Sequence, residues 1–150
     1  MQYDFSDTTR AVLQTSGRLA VQYKYESIEP EHLLLALIDE SLKNSSSNKV
    51  VLAVFKHLGI NLFNLIEDIE ESFDRSRSAE VGNAIPFSKR TEFILKLTAP
   101  EAKKLFSDEI YTEHILLSYV RCQSAFFEAV LKPKYNLDYQ DVKAAVALFV

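Results

Sequence analysis

Two glutamate–histidine pairs, Glu31-His32 and Glu113-His114, are the groups in this chain best placed to do chemistry. A carboxylate beside an imidazole could move protons, hold a metal ion or grip a cation. Adjacent residues on a helix point about 100° apart, and His-based zinc sites set their ligands three or four residues apart. The pairing therefore favours a structural imidazole, hydrogen-bonded at a neighbouring helix end, over a metal ligand or an acid–base catalyst. The glutamates have two readings. In the first turn of a helix a carboxylate gains about 0.3–1 kcal/mol from the helix dipole, and that alone would account for them. Projecting outward, each would bind a cation such as the Lys or Arg of a partner protein, a guanidinium fork being the best geometric match. Glu31 and Glu113 are thus the candidate protein- or peptide-binding residues, and both readings stay open. The third histidine, His57, has no partner motif.

A second constellation is Ser88-Lys89-Arg90. A serine before an apolar-periodic run is a helix cap worth about 1 kcal/mol, but two cations in the first turn oppose the dipole. Backbone donors, a hydroxyl and two cations could hold an anion such as phosphate, which makes Ser88, Lys89 and Arg90 the anion-binding candidates; a solvated basic turn is the plainer alternative. The matching stretch upstream, Ser6-Asp7-Thr8, is acidic, so any such site is asymmetric.

These residues come in pairs because the chain repeats itself. Ile28-Glu29-Pro30-Glu31-His32-Leu33-Leu34-Leu35 returns as Ile110-Tyr111-Thr112-Glu113-His114-Ile115-Leu116-Leu117 at an offset of 82, and the same offset pairs Phe5-Ser6 with Phe87-Ser88, Thr9 with Thr91 and Ala20 with Ala102. Two copies of one supersecondary unit are expected to pack on each other. In copy one, Ser6 is predicted to cap a helix running to about Tyr25, Pro30 to open a second that ends near Ser41, and Val50 to Leu58 to form a third that stops at Gly59. Asn61 then caps a fourth, through Phe73. In copy two, Ser88 caps a helix carrying Phe93, Ile94 and Leu97, with a kink or late start at Pro100. Thr112 caps the next, a short helix covers 126–131 until Pro133 stops it, and Asp138 opens the last. The aromatics Phe63, Phe73, Phe106, Phe126, Phe127 and Phe149 are assigned to the core or to the seam between copies, some of them exposed. The polar stretch 43–49 has no counterpart in copy two and is a tolerated loop or a partner contact. The expected fold is all-α, a single domain over 1–150 made of two four-helix repeats related by a pseudo-twofold axis. Repeat one covers about 4–73, a linker about 74–84, and repeat two about 85–150.

Bulk properties narrow the function. A net charge of −4 and pI near 5.4 argue against nucleic-acid binding. One cysteine, Cys122, leaves no internal disulfide and no Cys-based zinc site. No signal-peptide pattern opens the chain and no apolar run approaches a membrane span, so a cytoplasmic location without membrane partners is expected. The apolar residues 147–150 read as the edge of an excised piece of a longer protein.

The doubled Glu-His-Leu-Leu-Leu type motif, the Phe-Ser starts and the Leu58-Gly59-Ile60-Asn61 turn resemble the N-terminal double-repeat domain of the Clp-family AAA+ unfoldases, over nearly the whole chain. Copy two, from Ile85-Pro86-Phe87-Ser88 through Glu101-Ala102-Lys103-Lys104-Leu105, looks most like the ClpC branch. The resemblance implies a non-catalytic interaction domain joined to AAA+ rings, recruiting adaptors or substrates for unfolding and degradation, with a Clp peptidase reached through the full-length protein. It also implies that the glutamates could meet the guanidinium of phosphorylated arginine, although Glu29 and Tyr111 stand where the family usually has a small residue. No cofactor is expected in this domain. No phosphate-loop pattern occurs, so ATP would belong to AAA+ modules outside this chain. The alternative is the N-domain of a specialised disassembly machine of the ClpV or ClpB kind, which recycles secretion sheaths or dissolves aggregates. A small helical enzyme built on the Glu-His pairs is the reading from a different class.

Overall fold

The computed structural model describes residues 4–43, 49–77 and 85–150. Copy one contains β1 (Asp4–Phe5), α1 (Asp7–Gln22), α2 (Pro30–Leu42), α3 (Val50–His57) and α4 (Leu62–Glu71). Copy two contains α5 (Lys89–Lys96), α6 (Thr98–Lys104), β2 (Glu109–Ile110), α7 (Thr112–Cys122), a π-helical turn over Phe127–Leu131, α8 (Lys132–Tyr135) and α9 (Tyr139–Phe149). The stretch 44–48 and most of the expected linker, 78–84, lie outside the described residues.

The centre is formed by α2 and α7, the two copies of the histidine-bearing helix. Leu33 to Ile38 are all buried, as are Ile115 to Leu117 and Tyr119 and Val120. A helix apolar on every face needs neighbours on every side, and α2 contacts α1, α3, α4, α5 and α7, while α7 contacts α1, α3, α5, α6 and α9.

The copies are stitched by exchanged backbone. β1 pairs in parallel with β2, Phe5 opposite Ile110, and an isolated parallel bridge joins Ile28 to Phe87. These are the same contact made twice, since each pair is converted into the other by the repeat offset. The hydrogen bonds repeat it. Ser6 N and Thr9 Oγ1 donate to the Ile110 carbonyl at 3.0 and 2.8 Å, and Ser88 N and Thr91 Oγ1 donate to the Ile28 carbonyl at 3.0 and 2.8 Å. Sequence patterning missed both strands, which are two residues long and too short for an alternation signal.

Caps explain most helix ends. Ser6, Ser88, Asn61 and Asp138 accept from the backbone N–H three residues on, as expected. Gly59 follows α3 at φ 72°, where a residue without Cβ is unstrained. Other expectations need correction. The N-cap of α7 is Tyr111 rather than Thr112, whose Oγ1 is buried without a partner among the described residues. Helix α1 ends at Gln22, before the expected Tyr25, because Lys24 turns to φ 63°. The break expected at Pro100 is present: the helix is interrupted at Leu97 and restarts, which puts the proline in the first turn of α6 where its missing N–H costs little. Pro133 does not stop a helix; it sits at the first turn of α8, which follows the π-turn directly. Of the aromatics assigned to the core or seam, Phe63 and Phe106 are 85% and 97% exposed.

Two polar clusters fix the periphery. Asp68 of α4 accepts from the Tyr135 hydroxyl at 2.5 Å and pairs with Lys134 at 2.7 Å, tying copy one to copy two. Glu101, 2% exposed, accepts from the Tyr139 hydroxyl at 2.7 Å and faces Arg121 at 3.4 Å, which anchors α9 to α6 and α7.

Candidate functional site

The histidines are part of the helix starts. Glu29 N donates to His32 Nδ1 at 3.0 Å, and Tyr111 N donates to His114 Nδ1 at 2.9 Å. Each imidazole reaches back from the third helical position to satisfy the N-cap N–H, the role that Glu or Gln plays in a capping box. The partner is the helix's own start, where a neighbouring helix end was expected. His32 also lies between the edge of Tyr25 and the face of Phe73, each ring centroid 4.6 Å away. Burial pushes both imidazoles down to about 4, with the Arg77 cation adding to the effect at His32. They are neutral near pH 7, and Nδ1 is engaged, so neither imidazole offers a free base nitrogen.

The glutamates are less exposed than an outward-projecting ligand would be. Glu31 Oε2 accepts from the Tyr119 hydroxyl at 3.3 Å, and that hydroxyl accepts from Ser124 Oγ at 3.0 Å. This chain crosses from α2 to α7 and the turn after it. Burial raises the Glu31 carboxyl above the usual carboxylate range, against the lowering effect of the Tyr119 and Ser124 hydroxyls. Tyr119 is fully buried, and its phenol is held well above its ordinary value by burial and by Glu31. Glu113 is 5% exposed.

What the fold does build beside these glutamates is a pair of concave surfaces at pseudo-equivalent positions. The first, about 520 Å³, lies between the start of α5 and the turn after α7 and is lined by Lys89, Arg90, Phe93, Gln123, Ala125 and Pro30, among others. The second, about 530 Å³, lies between the start of α1 and the starts of α7 and α3, with Asp7, Thr8, Tyr111, Glu113, Lys49 and Phe149 in its walls. Of the expected anion trio, Lys89 and Arg90 line the first groove and are exposed. Ser88 does not; its Oγ accepts from Thr91 N at 3.2 Å and pairs with Thr91 Oγ1 at 2.9 Å. Glu113 lines the second groove directly, whereas Glu31 stands next to Pro30 behind the first.

Phe93 is the residue that sequence reasoning misplaced. Its spacing groups it with the apolar stripe of α5, yet 56% of it is exposed, and it lines the first groove. Its counterpart by the repeat offset is Ala11, small and off the buried face of α1, and that mismatch is the signal that could have found it. The turn at Gln123, with φ 49°, closes the groove and carries no glycine that would have marked it.

Among the described residues, no three His, Cys, Asp or Glu side chains gather closely enough to hold a metal ion. No single helix among them is long and apolar enough to cross a membrane.

Comparison with known proteins places this arrangement. The model of the Clp repeat (R) N-terminal domain family matches residues 4–134. A relative described as an ATP-dependent Clp protease ATP-binding subunit ClpA homolog, from Guillardia theta, is 29% identical over 117 residues, 78% of this chain and 13% of the relative. The chain therefore spans about an eighth of the length of that relative. The crystal structure of the Hsp104 N-terminal domain from Candida albicans superposes with a TM-score of 0.75 at 16% identity, covering 95% of this chain and 89% of that one. A complex of the ClpV N-domain with a VipB peptide gives 0.68 at 16% identity, covering 95% and 88%.

Proposed function

Since the chain belongs to the Clp repeat N-terminal domain family, we propose that it is a non-catalytic protein-interaction domain of a Clp-type ATP-dependent unfoldase, recruiting adaptor or substrate proteins for unfolding and degradation. The observation that carries this reading is the pair of open grooves at the starts of α5 and α1, set on a rigid core whose histidines are engaged in capping. Peptide-sized concavities with mixed apolar and charged walls suit short segments of other proteins. ATP hydrolysis, and any coupling to a Clp peptidase, would reside in AAA+ modules beyond these residues, and the domain itself would need no cofactor. The partners are proteins rather than nucleic acid or lipid, and a cytoplasmic setting suits that role. In this reading Glu113, which lines the second groove, would contact a cationic group of the ligand, and Glu31 would shape the first groove from behind.

A second reading is supported by the structural likeness to the ClpV N-domain seen with a VipB peptide. Here the domain would serve a disassembly machine and take one helix of a sheath-type protein. The two readings separate in one titration of the 150-residue chain with a fluorescent unfolded protein, a sheath-type helical peptide and free phosphoarginine. Saturable binding of the unfolded protein, weakened at least about fivefold by Phe93→Ala, supports the first reading, and binding of the helical peptide alone supports the second. Absence of binding to every probe would refute both. Loss of phosphoarginine binding in Glu113→Gln would assign that carboxylate to the ligand.

A further inference from the structure

We infer that the groove at the start of α5 selects acidic segments: a stretch of a partner or substrate chain carrying carboxylates to one side of a large apolar side chain. This deepens the reading of the domain as a recruiter and rests on it. The duplication supplies the control. At equivalent positions copy one has Asp7, Thr8 and Ala11 where copy two has Lys89, Arg90 and Phe93, and of the former Asp7 and Thr8 line the α1 groove. All three α5 side chains line the concavity, and Lys89 and Arg90 each stand one turn before the ring, four and three residues away.

Lys89 and Arg90 gain nothing evident from the fold. Both are exposed, neither makes an ion pair among the described residues, and both occupy the helix end where the dipole opposes positive charge. Three acidic groups close in sequence to the groove's walls form no ion pair with them, and Glu29 accepts from Ser27 Oγ at 2.9 Å. Glu31 is turned to Tyr119, and Glu92, exposed on α5, is not among the residues lining the groove. Phe93 likewise keeps 56% of its surface in solvent when Ala11 shows that the repeat packs without an aromatic there. Facing them, Ser124 and Ala125 leave room for an apolar side chain to lie against the ring. Two unspent cations beside an uncovered ring match a ligand with acidic groups and a Leu or Phe. The α1 groove has the opposite character. Its lining includes Asp7 and Glu113, and its Lys49 ammonium is occupied by the carbonyls of Ser41 and Lys43 at 3.2 and 2.9 Å.

The test uses three labelled twelve-residue peptides sharing one apolar frame, with Glu, Gln or Lys at the variable positions, titrated into the 150-residue chain by fluorescence anisotropy at low salt. The acidic peptide should bind roughly tenfold tighter than the Gln peptide, and this preference should shrink as salt is raised. In Lys89→Gln/Arg90→Gln the acidic peptide should fall to the affinity of the Gln peptide, whose own binding stays unchanged, while Phe93→Ala should weaken both. Both cations are exposed, so an unaltered melting temperature will attest the fold of the double variant. Equal binding of the acidic and Gln peptides, or a preference that survives the double substitution, overturns the inference while leaving recruitment intact. Failure of all three peptides to bind overturns this inference and the proposed function together.

Discussion

The buried histidines predict a steep loss of stability in mild acid. His32 and His114 are 0% and 1% exposed and held at about 4 against an ordinary 6.5. Between those values the unfolded chain takes up protons that the folded chain excludes, so stability is full above pH 6.5 and falls as the pH falls toward 4. Integrating from pH 7 to pH 5, each histidine removes about 2 kcal/mol, and the two together about 4 kcal/mol. For a domain of this size that is a large share of a total of roughly 5–15 kcal/mol. Glutamine at the same position keeps an acceptor for the N-cap N–H and does not titrate. Urea unfolding followed by circular dichroism at pH 7, 6 and 5, at constant ionic strength, should show the pH 7-to-5 loss cut by about half in His32→Gln or His114→Gln and nearly abolished in the double variant. Carboxylates do not mimic this. Asp68 and Asp74 are lowered by their hydrogen bonds and titrate below the window, and Glu31, raised by burial, shifts stability in the opposite direction. Single variants that retain the full wild-type loss would refute the assignment of the buried imidazoles as the acid-sensitive groups.

Other substitutions follow from named contacts. Glu31→Gln should raise the melting temperature at pH 7 and lose that advantage near pH 4, because it removes a carboxylate whose burial disfavours ionisation while retaining an acceptor for Tyr119; a lower melting temperature at pH 7 would contradict this. Phe106→Gly should stabilise by about 0.5–1 kcal/mol in chemical denaturation, since the phenyl ring is exposed and the residue sits at φ 57° in a Schellman-type cap, with Ser107 N donating to the Ala102 carbonyl. Tyr119→Phe should cost about 1–3 kcal/mol by the same measurement, because Glu31 and Ser124 lose a buried partner. Ser88→Ala should cost about 1 kcal/mol and leave peptide binding in the α5 groove intact, as its hydroxyl is spent on Thr91.

The parts of this molecule legible in the sequence are those where one residue type answers one local need. Ser6, Asn61, Ser88 and Asp138 announce helix starts because a short oxygen-bearing side chain before an apolar run has few better uses. The register of the duplication likewise implied that the copies pack on each other. The failures came where an element depends on a distant strand or on a side chain's direction. Two-residue strands have no period of their own, and β1 exists because Ile110 is there to receive it. The histidines are legible as structural, but their partner is not, because composition cannot say that an imidazole will bend back to its own N-cap instead of a neighbouring helix end. Thr112 was mistaken for a cap because its type suits that role, whereas the histidine makes even Tyr111 serviceable there. Phe93 was absorbed into an apolar stripe because spacing on a helix locates a residue only to within one position. The charge contrast between the grooves, by comparison, was already visible as Asp7-Thr8 against Lys89-Arg90.

The exchanged strands also bear on how the chain comes to be folded. Thr9 finds its carbonyl partner 101 residues away and Thr91 finds its own 63 residues away, in the reverse sense. Each half completes its first helix start with a carbonyl of the other, so the repeats lean on each other despite their likeness. During synthesis the amino-terminal half must wait, incompletely stitched, until Ile110 has left the ribosome. Closing contacts at such separations slows folding relative to a simple helical bundle. A chain stalled before that residue would be an incomplete fold, itself the kind of client that unfoldases handle.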